Sequence, residues 1–168
     1  VEMKDGSENE MLIPKNVILA TGSRPRTVDG MHVDGQTILT SDDALEMSAL
    51  PKSILIVGGG VIGIEWASML ADFDVEVTVL EYSDRILPTE DNDISLEMTK
   101  LLKKRNIHIK INAKLDTKTL QVSDKGVTVS LENGQSYTAE KMLLSVGRVA
   151  NIENIGLENT DIEIENAC

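Results

Sequence analysis

Three glycines, Gly58, Gly60 and Gly63, stand at G-x-G-x-x-G spacing directly behind the apolar run Ile54-Leu-Ile-Val57. Each has a separate task in that spacing. The first permits a tight turn from strand into helix, the second leaves room for a pyrophosphate at the backbone, and the third lets the helix pack close to the strand. The phosphates would then rest on free amides at the helix N-terminus. A second apolar run, Val75-Glu-Val-Thr-Val-Leu-Glu81, follows and ends in an acid. It stands roughly 20 residues after the glycines, where a partner for a ribose diol is expected in a dinucleotide site. A carboxylate there accepts hydrogen bonds from the diol and repels a 2′-phosphate, so Glu81 favours NAD over NADP. The nearest cation, Arg85, reads as a loop or surface charge.

Composition narrows the remaining possibilities. The chain has 168 residues and is 41% hydrophobic, enough for one good core. No apolar run approaches the roughly 20 residues of a membrane span. With 28 acids against 16 bases the net charge is −12. That argues against a nucleic-acid surface, where phosphate repulsion would oppose binding. The basic run at residues 100–105 falls at the end of a predicted helix, where cations suit the dipole. His32 and His108 have no second histidine or cysteine at ligand spacing, and the single cysteine, Cys168, forms neither a disulfide framework nor a metal cluster. We therefore expect no metal site and, with no signal-like leader, a cytoplasmic setting.

The elements that must position these residues follow from hydrophobic pattern. The order from Ser53 is strand 53–57, helix 61–72, strand 75–81, helix 91–105 and strand 107–111. Continuous apolar strands in β-α-β-α-β order predict a Rossmann-like α/β fold, a parallel sheet with helices on both faces. Ile94, Met98, Leu101 and Leu102 fall at helical spacing and read as core. Residues 119–122, 126–131 and 136–138 alternate apolar with polar, with turn signals at Asp124-Lys-Gly126 and Asn133-Gly134 between them. They predict a small antiparallel β-meander. Residues 142–146 then read as a buried strand returning to the sheet. Before Pro51, residues 16–20 offer a strand without visible partners, a loop rich in Gly, Asp and Thr that carries Pro25, Gly30 and Gly35 follows, and Ser41 reads as the N-cap of a short helix with acids in its first turn.

Four motifs in order carry a family resemblance: Ala20-Thr-Gly-Ser-Arg-Pro25, the glycine motif with Glu65 two residues behind it, Arg85-Ile-Leu-Pro88, and Val146-Gly-Arg148. Together the chain resembles the two-dinucleotide flavoprotein disulfide reductases over essentially its whole length. Arg85-Ile-Leu-Pro-Thr-Glu-Asp91 and Glu153-Asn-Ile-Gly-Leu-Glu158 are most similar to the dihydrolipoamide-oxidising branch. The resemblance implies an NAD-binding domain over residues 51–147, flanked by a piece of an FAD domain at 1–50 and the start of its return at 148–168. It implies that Gly58, Gly59, Gly60, Val61, Ile62, Gly63 and Glu65 wrap the pyrophosphate and nicotinamide side of NAD, and that Glu81 holds the adenosine ribose. Leu115 would touch adenine, or else serve as ordinary core, and Gly147 would lie beside the nicotinamide. Val61 replaces an aromatic gate of some relatives, which implies an open nicotinamide slot. Thr21, Gly22, Ser23 and Arg148 would stand near FAD.

Complete members also carry an FAD-type glycine motif, a Cys-x4-Cys redox pair, a later Gly-Asp flavin motif and a His-Glu base, none of which this sequence contains. The chain is thus expected to be an internal fragment with no catalytic residue of its own, colourless when purified and inactive towards lipoamide. In the parent, the resemblance implies a homodimer serving a 2-oxo acid dehydrogenase complex, with hydride passing from FAD to NAD. An NADH oxidase or peroxidase relative, or a stand-alone NAD-binding module, stay open. Two departures stand out. Asp74 occupies a helix C′ position where relatives place glycine, at a cost of about 1 kcal/mol, and Val149-Ala150 replaces the usual Arg-Pro.

Overall fold

The computed structural model describes residues 13–165; Cys168 and the first residues of the flanking segment lie outside them. The elements are β1 (Ser23–Pro25), β2 (Ile38–Thr40), α1 (Ser41–Leu45), β3 (Ser53–Val57), α2 (Val61–Asp72), β4 (Glu76–Leu80), α3 (Asn92–Lys104), β5 (His108–Lys110), β6 (Leu115–Ser123), β7 (Gly126–Leu131), β8 (Ser136–Ala139), β9 (Lys141–Leu144) and β10 (Arg148–Ala150).

Five strands form a parallel sheet in the order β2-β9-β3-β4-β5. β4 lies beside β3 with Ile54 opposite Val77 and Ile56 opposite Val79, as the glycine motif requires. A parallel sheet buried on both faces explains the unbroken apolar text of β3, whose alternate side chains enter different cores. Ile54, Ile56, Val77, Val79 and Leu143 pack against Ile64, Ala67 and Leu70 of α2 and Leu102 of α3. Leu55, Val57, Leu80, Met142 and Leu144 pack against Val127, Val129 and Leu131 of the antiparallel sheet β6-β7-β8.

This arrangement keeps the expected Rossmann-like class and the meander but changes one layer. Helices were expected on both faces; instead α1, through Ala44, joins α2 and α3 on one face. The other face is covered by the meander, because the chain crosses from β5 to β9 through three strands and not through a helix.

Four local expectations also need correction. Residues 16–20 form no strand and leave Val17 70% and Ile18 91% exposed, since no described strand lies beside them to complete a ladder. The strand β2, read as loop, forms an edge of the parallel sheet on β9. The Asp34 side chain closes the turn before it, accepting from the amides of Gln36, Thr37 and Ile38 at 2.8, 2.7 and 2.9 Å. Partial burial works to raise the Asp34 pKa, but these donors outweigh it and hold the carboxyl below its usual value. The N-cap of α1 is Thr40, which forms a reciprocal capping box with Asp43, rather than Ser41. On α3, Leu102 is core and Met98 packs at its margin, but Ile94 and Leu101 are 53% and 45% exposed. The helix is turned so that Ser95 faces inward, donating its hydroxyl to the Leu87 carbonyl at 3.1 Å.

Both long helices end in a Schellman motif. The amides of Asp74 and Val75 donate to the carbonyls of Ala71 and Leu70, and those of Asn106 and Ile107 to Lys103 and Leu102. Asp74 (φ 60°) and Asn106 (φ 61°) supply the left-handed residue in each, so the conformation expected at Asp74 is present. Outside the sheets already described, β1 and β10 pair as a two-stranded antiparallel ribbon.

Candidate functional site

The carboxyl ends of β3, β4 and β9 and the turn after β5 open into one cleft of about 730 Å³. Open α/β sheets bind ligands there, at the point where the strand order reverses. Here that point falls between β3, from which the chain runs on to β4 and β5, and β9, which joins the other side of β3 later in the chain.

The glycine turn forms the floor. The Gly58 amide donates to the Leu80 carbonyl at 2.9 Å, and the Gly59 carbonyl accepts from the Leu87 amide at 2.7 Å. A Cβ at Gly58 would fall 2.4 Å from the Ser145 carbonyl oxygen, and one at Gly63 would fall 2.0 Å from the Gly58 carbonyl oxygen. These contacts leave only hydrogen at both positions and seat α2 directly on the turn. Gly60 differs, with no atom within 4 Å of where its Cβ would be. It is the N-cap of α2, and no side chain caps that end, so the first amides of the helix are left for a ligand.

Glu81 stands at the tip of β4, only 6% exposed. Its Oε2 accepts from the Gly59 amide at 2.5 Å and its Oε1 from the Ser83 amide at 2.7 Å. A buried carboxylate needs such donors, and each oxygen keeps capacity for a further bond. Glu81 therefore fastens the second turn to the first while still offering acceptors to the cleft. Arg85 is directed elsewhere, its Nη2 donating to the carbonyls of Pro88 and Glu90 at 2.9 and 3.3 Å. It shapes the loop whose Pro88 and Thr89 line the cleft.

Of the residues singled out from sequence, Gly58, Gly60, Val61, Ile62, Glu81, Leu115, Gly147 and Arg148 line the cleft. Gly59 and Gly63 sit behind it as structural parts of the turn. Glu65 is exposed on α2 and is not among the lining residues. Val61 is 51% exposed at the cleft. Leu115 is half-buried, packing on the meander core while also lining the cleft. Thr21, Gly22 and Ser23 lie on the ribbon side, where Asn151 bonds the carbonyls of Thr21 and Gly22. Arg148 is already engaged there, through Nε to Ser23 Oγ at 2.8 Å, Nη2 to the Ser23 carbonyl at 2.7 Å and Nη1 to Asp42 at 3.3 Å. Further along the ribbon the Arg24 guanidinium, 2.5 Å from Glu153, holds that carboxyl down to about 2.

Sequence reasoning missed Tyr82, Lys114, Thr117, Ser145 and Val28 in the cleft wall. Three of them had a usable signal, since Tyr82, Lys114 and Ser145 stand just beyond the ends of parallel strands, where such sheets bind ligands. Lys114 places its Nζ 5.8 Å from the centre of the Tyr82 ring. Among the described residues no group of three or more His, Cys, Asp or Glu side chains is placed to hold a metal ion, and no helix is long and apolar enough to cross a membrane.

Sheet, glycine turn and cleft together define a Rossmann-like α/β domain. The chain belongs to the pyridine nucleotide-disulphide oxidoreductase family, whose sequence profile matches residues 1–167. It is 60% identical over 169 residues to the dihydrolipoyl dehydrogenase of Bacillus subtilis strain 168, covering 99% of this chain and 36% of that protein. It is 40% identical to the dihydrolipoyl dehydrogenase of Zymomonas mobilis, covering 98% of this chain and 36% of that one. Among solved structures, LpdA from Mycobacterium tuberculosis superposes with a TM-score of 0.78 at 30% identity, over 88% of this chain and 32% of that one. The flavoprotein disulfide reductase RclA from Escherichia coli superposes with a TM-score of 0.76 at 28% identity, over 88% of this chain and 33% of that one. The chain thus spans about a third of the length of its relatives.

Proposed function

We propose that the chain is the NAD(H)-binding domain of a dihydrolipoyl dehydrogenase. The observation that carries this reading is the pairing of an uncapped helix N-terminus at Gly60 with a buried, amide-anchored carboxylate at Glu81 in a single cleft. The open space at Gly60 fits a pyrophosphate, and the spare acceptors of Glu81 fit a ribose diol. Bound there, NAD would serve as hydride acceptor from a reduced FAD held by other parts of the enzyme. This chain's own residues do the positioning. Gly60, Val61 and Ile62 present backbone to the phosphates, Glu81 fixes the adenosine end, Leu115 gives adenine an apolar wall, and Gly147 borders the nicotinamide end.

The wider reading is that residues 51–147 form the NAD domain, that residues 31–45 complete its sheet edge, and that the flanking segments belong with an FAD domain. The whole enzyme would be a cytoplasmic homodimer within a 2-oxo acid dehydrogenase complex. With one cysteine in 168 residues the chain cannot form a Cys-x4-Cys pair, so it should give no lipoamide turnover alone.

Calorimetric titration tests the cofactor assignment. Wild type should bind NADH more tightly than NADPH, because a 2′-phosphate would meet Glu81 while Arg85 is bound to its own loop. Glu81→Ala should weaken NADH by about 1.5–3 kcal/mol, the range for a hydrogen bond to a charged group, and shrink the preference. Equal affinity for the two nucleotides in wild type would overturn the assignment.

A further inference from the structure

Ser145 directly follows the buried apolar strand β9 and is itself 8% exposed. Its amide donates to the Val57 carbonyl at 2.8 Å, continuing the β3–β9 ladder. Its hydroxyl reaches the same carbonyl at 3.0 Å and the Gly58 carbonyl at 2.9 Å. Among the described residues no other donor to the Gly58 carbonyl is found. The contact is crowded from two sides, for a Cβ at Gly63 would lie 2.6 Å from Ser145 Oγ and a Cβ at Gly58 would lie 3.2 Å from it. A hydroxyl has no packing advantage over a methyl in such a place and is costly unless bonded. The residues that follow it, Val146 and Gly147, line the same cleft as the glycine turn.

We propose that Ser145 is a positioning residue for the nucleotide: its hydroxyl holds the Gly58 carbonyl and so sets the spacing between the glycine turn and the Val146-Gly147 wall. The inference rests on the reading of this cleft as a nucleotide site. Removing the hydroxyl leaves the Gly58 carbonyl without that donor beside a helix that cannot move closer. The turn then loses its fixed distance from β9, while the β3–β9 ladder, which uses only the Ser145 amide, is kept.

The test compares Ser145→Ala, the similar-sized Ser145→Cys, and Val129→Ala, a meander core variant that lowers global stability away from the turn. Amide hydrogen exchange of the ligand-free chain reads the latch itself. Exchange at Gly58 and Gly59 should rise severalfold in Ser145→Ala, less in Ser145→Cys, and no more than elsewhere in the sheet in Val129→Ala. NADH affinity should fall roughly three- to tenfold in Ser145→Ala, the loss of one neutral hydrogen bond, and stay near wild type in Val129→Ala. Unchanged exchange and affinity in Ser145→Ala, or equal local effects of Val129→Ala, would overturn the proposal. If wild type bound no NADH, the nucleotide role would fall together with the cofactor reading, and the exchange data would still show whether the hydroxyl holds the turn.

Discussion

Gly60 and Gly63 lack a side chain for opposite reasons. At Gly63 an alanine Cβ would strike the Gly58 carbonyl oxygen at 2.0 Å, whereas at Gly60, with φ −74°, an alanine meets nothing within 4 Å. Gly63→Ala should therefore destabilise the chain by about 1–3 kcal/mol, the usual cost of overpacking. Gly60→Ala should leave stability within about 1 kcal/mol of wild type while lowering NADH affinity at least tenfold, since its methyl would occupy the pyrophosphate seat. Thermal unfolding and NADH titration on both variants separate the two roles, and full NADH affinity in Gly60→Ala would place the phosphates elsewhere. Much of this was legible at the level of single residues, because glycine spacing and a strand-end acid report local geometry directly. The second duty of Glu81, tying down the Gly59 amide, was not legible, because it depends on how closely two turns approach in the folded chain. Nor were Val28 and Thr117, which line one cleft wall from segments far apart in sequence.

The central strands β3 and β4 and the helix α2 between them could be read from the sequence because their patterns are long and continuous. The misread elements had weaker cues. The strand β2 has three residues, too few to show a period. The face of α3 was misjudged because apolar spacing alone allowed two stripes, and the Ser95–Leu87 bond selects the one containing a serine. The C-terminal end of α2 was more predictable, and Asp74 offers a test. It adopts φ 60° inside a Schellman motif whose bonds are intact. Asp74→Gly should raise stability by about 0.5–1 kcal/mol by relieving the left-handed strain, and thermal melting should show a rise of a few degrees at most. A lower midpoint would mean that the Asp74 side chain contributes more than its backbone costs.

The whole molecule adds a long-range field to these local contacts. A net charge of −12 repels any dinucleotide approaching the cleft. The Debye length shortens from about 30 Å at 0.01 M salt to about 8 Å at 0.15 M, so the distant acids should be screened while contacts within the site persist. NADH affinity measured by fluorescence titration is expected to rise over that range. A fall would mean that Lys114 and Arg148 in the cleft wall dominate the attraction.

The β1–β10 ribbon has a topological consequence. Pro25 pairs with Arg148, and the Arg26 amide donates to the Gly147 carbonyl at 2.9 Å, so the segments running into and out of the cleft-bearing sheet run side by side. Adjacent entry and exit points are what permit a domain to be inserted into another chain without parting the host's fold. The sheet, helices and meander between residues 26 and 147 thus begin and end at one double-stranded ribbon, the arrangement that such an insertion requires.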